Sequence, residues 1–130
     1  MTRKRELPKR LGLGLVLAAA LAGAAWAQGA GKFDGEYVGE LTLNGIINGD
    51  CTKPPLGSAY PLSISGGVVR FKYLPRFDTI LTGPVDQNGG FKASARTKSG
   101  MINMVGRVQG GNVTAKIQSP SCMYSFRSRQ

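Results

Sequence analysis

Glu36 and Glu40 are the carboxylates whose spacing comes nearest to a paired-acid site. On one face of a strand they stand about 13 Å apart, at roughly 3.3 Å per residue. Glycosidase pairs need about 5–9.5 Å, so that chemistry is excluded for this pair. The chain has no His. That removes imidazole bases, Ser-His and Cys-His nucleophile pairs and His-ligated metals. No acid, base and nucleophile can be placed together, so the expectation is a non-enzymatic protein with no cofactor and no metal. Cys51 and Cys122 are the only cysteines, and they lack the C-x-x-C spacing of a redox dithiol. An even count in an oxidising compartment reads as a disulfide. It would close a loop of about 70 residues and contribute roughly 4 kcal/mol in the chain-entropy model.

The remaining chemistry-bearing residues are basic or aromatic. Arg70, Lys72, Lys92, Arg96 and Arg107 are candidates for contact with an anionic partner, and they share an outward set with Lys98, Lys116, Arg127 and Arg129. Arg76 and Phe77 fall together in an irregular stretch, Leu74–Asp78, and aromatic plus Arg is a common make-up of a protein-contact anchor. Tyr60 and Tyr73 are candidates for orienting a small ligand at a barrel mouth. A 16-residue connection, 44–59, carries Ile46, Ile47 and Leu56 beside Cys51 and Pro54-Pro55, and connections that long are commonly functional.

These residues need a compartment and a scaffold. Residues 1–10 are basic, 11–25 form an uncharged apolar run, and Ala25-Trp26-Ala27 supplies small residues at −3 and −1 of a cleavage site. That is the pattern of a secretory signal peptide cut after Ala27. The run of about 15 residues is shorter than the roughly 20 that cross a bilayer, so no membrane span is expected after cleavage. The domains are then 1–27 as leader and 28–130 as one β-barrel domain in the periplasm or outside the cell. The leader holds five of the 17 basic residues and one of the 7 acidic ones, which leaves twelve against six. A basic exported chain points to an anionic envelope component or an acidic protein surface.

From Lys32 onward, apolar and polar residues alternate with period 2, and Gly, Asn, Asp and Pro interrupt every 8–12 residues. This predicts an all-β domain of about eight strands: 32–43, 60–65, 68–74, 79–85, 90–98, 101–109, 112–119 and 122–128. Two-residue turns fix which residues face each other. With Gly66-Gly67 as a turn, Ile64 faces Val69, Leu62 faces Phe71 and Tyr60 faces Tyr73. With Gly110-Gly111, Val108 faces Val113; with Pro120-Ser121, Ile117 faces Tyr124. A three-residue loop at 87–89 pairs Val85 with Phe91. With Ser99-Gly100 as a turn, Ala95 faces Met104 and Lys92 stands opposite Arg107, a like-charge pair that an anion would relieve. Successive hairpins make an antiparallel meander, and an even strand count lets it close into a small barrel with Cys51 near Cys122. The alternative is an open two-sheet sandwich. The inward set interleaves Phe33, Tyr37, Phe71, Tyr73, Phe91, Tyr124 and Phe126 with Gly39, Ala93, Ala95, Gly106 and Ala115, the large-beside-small filling of a narrow barrel. Nucleic acid is disfavoured because the aromatics lie inside rather than among the outward cations.

The opening Phe33-Asp34-Gly35-Glu36-Tyr37-Val38-Gly39 and the closing Ser119–Phe126 resemble small uncharacterised exported bacterial β-barrel proteins. These begin with a G-x-[WY]-x-G strand and end with a Cys-x-aromatic strand. The opening is loosely similar to the G-x-W strand of lipocalin- and avidin-like barrels, with Tyr37 where they have Trp, and none of their ligand positions is carried over. Thr97-Lys98-Ser99-Gly100 resembles the hairpin loop of periplasmic lysozyme inhibitors, which are also small, exported and β-rich. Three functions follow as expectations. The first is a non-enzymatic envelope protein binding through the basic outer face and the 44–59 and 74–78 loops. The second is a small-ligand carrier with its site at the barrel mouth. The third is a periplasmic enzyme inhibitor.

Overall fold

The computed structural model describes residues 31–73 and 79–129. The expected leader and the 74–78 loop, with Arg76 and Phe77, lie outside the described residues. The strands are β1 Gly35–Ile46, β2 Tyr60–Ser65, β3 Val68–Tyr73, β4 Thr79–Pro84, β5 Gly90–Thr97, β6 Gly100–Gln109, β7 Asn112–Gln118 and β8 Cys122–Ser128. All pair antiparallel in chain order, and β8 returns to β1, so the meander closes into an eight-stranded barrel rather than an open sandwich. Closure leaves no bare strand edge. The disulfide joins Cys51 to Cys122, with Cα atoms 5.8 Å apart, where β1 gives way to the next connection beside the start of β8.

Alternation places the core where the period-2 pattern requires. Leu62, Val69, Phe71, Leu81, Val85, Met104 and Val113 are fully buried. The interior is packed across its width. Phe71 on β3 meets Phe126 on β8 edge to face with ring centroids 5.3 Å apart, and Tyr73 meets Tyr124 at 5.8 Å. Small residues make room for the rings. A Cβ on Gly106 would lie 2.6 Å from both the Phe91 ring and the Ala115 methyl. At the closing seam, a Cβ on Gly39 would lie 2.2 Å from the Arg127 carbonyl oxygen.

Two expectations need correction. β1 begins at Gly35 and runs to Ile46, three residues later than expected at each end. Phe33 and Asp34 continue the alternation but serve another purpose. Phe33 packs against the core, and the Asp34 carboxylate accepts from the Gly66 and Gly67 amides at 2.8 and 3.2 Å. At the far end, a bulge between Leu43 and Gly45 and the Ile47 amide bond to the Ser121 carbonyl at 2.7 Å hold the chain along β8. The long connection is therefore 47–59.

The second correction is the β5–β6 register. Ala95 faces Ile102 and Ala93 faces Met104, and Lys92 lies opposite Val105, not Arg107. The turn is Lys98-Ser99. The Thr97 hydroxyl accepts from the Ser99 amide at 3.2 Å and donates to the Gly100 carbonyl at 2.8 Å. Gly100, at φ 130, then starts β6 one residue early. Moving the turn by one residue changes every partner by two, so each side chain keeps its face. The other registers match: Leu62 with Phe71, Val108 with Val113, Ile117 with Tyr124, and the Val85–Phe91 bridge.

Candidate functional site

Outward side chains of neighbouring strands line up in rungs across the barrel wall. One rung reads Lys92, Val105, Lys116, Ser125, Thr42 from β5 round to β1. The next reads Gly90, Arg107, Thr114, Arg127, Glu40 over the same five strands. Ring closure completes both rungs, because Thr42 and Glu40 join only when β8 meets β1. Five strands at about 4.8 Å spacing give each rung a span of roughly 19 Å.

The wall is concave here. A groove of about 780 Å³ runs over β6, β7, β8 and β1, with Arg107, Lys116, Arg127 and Arg129 as its cations and Glu40 as its carboxylate. A smaller hollow of about 480 Å³ shares Val105, Gly106 and Arg107 with it and adds Lys92 and Asp86. The groove floor reaches Gly106 and Ala115. Gly106 is also the position where a Cβ would meet the Phe91 ring inside. Thr42, Asn44, Thr114 and Ser125 add neutral hydrogen-bonding groups, and Asn44 Nδ2 donates to Ser125 Oγ. Arg129 Nη2 lies 3.4 Å from Glu40 Oε2, the one ion pair in the groove among the described residues. Arg107 Nη1 donates to the Asn88 carbonyl at 3.3 Å. Three cations therefore share the groove with a carboxylate that already faces a fourth.

Of the residues singled out from sequence, Lys92 and Arg107 come together on this face. Arg96 is four residues farther along β5, opposite Met101. Arg70 and Lys72 stand on β3, on the other side of β4, where Arg70 faces Ser63 and Thr82. The sequence put Lys116, Arg127 and Arg129 outside; the β7–β8 pairing sets Lys116 and Arg127 diagonally across one hairpin, and closure brings Glu40 beside them. Glu40 meets Arg129, whereas Glu36 lies opposite Ser63.

Tyr60 and Tyr73 are buried. They cluster with Tyr124, whose hydroxyl donates to the Thr52 carbonyl at 2.7 Å, while Tyr73 is hydrogen-bonded to the Ser119 and Tyr124 side chains. Burial, then the neighbouring Tyr73, pushes the Tyr124 hydroxyl up to about 12. Burial also raises Tyr73. The Tyr124–Thr52 bond ties the 47–59 connection to the core. Among the described residues no group of three or more His, Cys, Asp or Glu is placed to hold a metal ion, and no helix is long and apolar enough to cross a membrane. No family model, curated protein or solved structure matches the chain.

Proposed function

We propose that this is an exported, non-enzymatic envelope protein that holds an anionic envelope component along its outer groove. The pair of rungs on β5–β1 carries the reading: they set Arg107, Lys116 and Arg127 in one groove with a single carboxylate, Glu40, and Lys92 in the adjoining hollow with Asp86. Cations lining a hollow attract a polyanion more strongly than the same cations on a convex surface. The hydroxyls of Thr42, Thr114 and Ser125 and the Asn44 amide suit a chain that carries both charge and hydroxyls, such as an acidic glycan. Export rests on the leader pattern, and the disulfide is compatible with an oxidising compartment. The packed interior favours a surface binder over a carrier, because rings from opposite walls occupy the space a ligand would need.

Dextran sulfate is a suitable polyanion probe for the test. The oxidised protein is expected to bind it with an affinity that falls as salt rises. Lys116→Glu with Arg127→Glu is expected to weaken binding by about tenfold or more, while Arg70→Glu on the far wall leaves it nearly unchanged. Equal binding by the groove and far-wall variants would reduce the attraction to overall charge and reject the groove.

A further inference from the structure

The connections 47–59, 98–99 and 119–121 all emerge at one end of the barrel. Along its rim the outward residues alternate in character. Lys72 faces Ile80 across β3–β4, and Arg96 faces Met101 across β5–β6. Extending the Thr82–Ser94 pairing by two residues brings Ile80 toward Arg96. The row thus runs basic, apolar, basic, apolar. It continues through the turns: Lys98 is exposed, Gly100 lies against Pro120, and the Ile47 amide donates to the Ser121 carbonyl. Ile46, Ile47 and Ile80 are 58%, 48% and 48% exposed. Among the described acids, Asp34, Glu36 and Asp86 lie at or near the opposite end, and Asp50 lies on the 47–59 connection here.

We infer that this end seats on an anionic lipid surface. Exposed isoleucines and methionines interleaved with Lys and Arg match a bilayer interface. There apolar tips enter the acyl boundary while cations stay among the anionic head groups. The barrel does not enter the bilayer, since its outer wall carries Arg, Lys and Glu at mid-height. This reading stands on residues separate from those of the groove.

The ring closes between residues 35 and 128, so residues 28–130 serve as the test protein. Vesicles of phosphatidylcholine with phosphatidylglycerol, and of phosphatidylcholine alone, are floated with it. The expected result is flotation with the anionic vesicles, loss at high salt, and no flotation with the neutral ones. Ile47→Asp with Ile80→Asp, and separately Arg96→Glu with Lys98→Glu, are each expected to cut binding by about tenfold or more. Lys116→Glu with Arg127→Glu is expected to leave it unchanged. All these side chains are exposed, and an unchanged circular dichroism spectrum verifies the fold of each variant. Absence of flotation with anionic vesicles overturns the inference and turns this end toward a protein surface. Unchanged flotation of both rim variants, or loss in the groove variant, overturns it equally.

Discussion

Tyr124 shows how one side chain joins packing to chemistry. Its ring meets Tyr73 inside the barrel, and its hydroxyl reaches out to the Thr52 carbonyl. In an unfolded chain a tyrosine ionises near pH 10; here burial, then Tyr73, holds Tyr124 protonated up to about 12. Between those values the unfolded state loses its proton first. The contribution of Tyr124 is therefore complete below pH 10 and is lost as pH rises through about 12. Thermal melts across that window are expected to show a falling midpoint, with a shallower fall in Tyr124→Phe. At neutral pH the same substitution is expected to cost roughly 1 kcal/mol, the net worth of the bond to Thr52. Gly39 is a second single-residue constraint, of steric kind. A methyl there would stand 2.2 Å from the Arg127 carbonyl oxygen and 2.6 Å from the Ser128 Cα, both backbone atoms. Gly39→Ala is expected to destabilise the fold by about 3 kcal/mol or more, read by denaturant titration, because the seam must open to admit it.

At the level of elements, the 47–59 connection is fixed by several independent ties. These are the disulfide, the Tyr124–Thr52 bond, the buried Pro54, and Arg129 Nη2 donating to the Gly57 and Ser58 carbonyls at 3.4 Å. Replacing both cysteines with serine is expected to lower stability by roughly 4 kcal/mol, measured by urea unfolding, since the bridge restrains a long loop of the unfolded chain. Hydrogen exchange is then expected to rise first in 47–59. Strand number, the facing of side chains and the disulfide were legible in the sequence because each depends on parity or on counting. The β5–β6 register was not, since a two-residue change of partners leaves parity intact. Only the Thr97 hydroxyl, in contact with both Ser99 and Gly100, reveals where that turn sits. The start of β1 was hidden because Phe33 and Asp34 obey the same alternation while sealing the barrel end. The groove was hidden for a third reason. Lys116 and Arg127 are diagonal neighbours across the β7–β8 hairpin and closure brings Glu40 and Thr42 beside them, but a strand register alone does not show that the outer wall is hollow there.

For the whole molecule, closure divides the surface into regions of different character. One wall gathers cations in a dip, one end mixes cations with aliphatic tips, and the other end holds Asp34, Glu36 and Asp86. The interior, packed with rings from facing walls, leaves binding to the outside. The join between the first and last strands also bears on how the protein is made. Until residues 122–128 arrive, β1 and β7 each present an unsatisfied row of amides and carbonyls on that side. A chain threaded through a secretion pore N-terminus first would carry two adhesive margins throughout its passage. A copy cut short before Cys122 would keep them for good, and such fragments would string together with their siblings instead of remaining single.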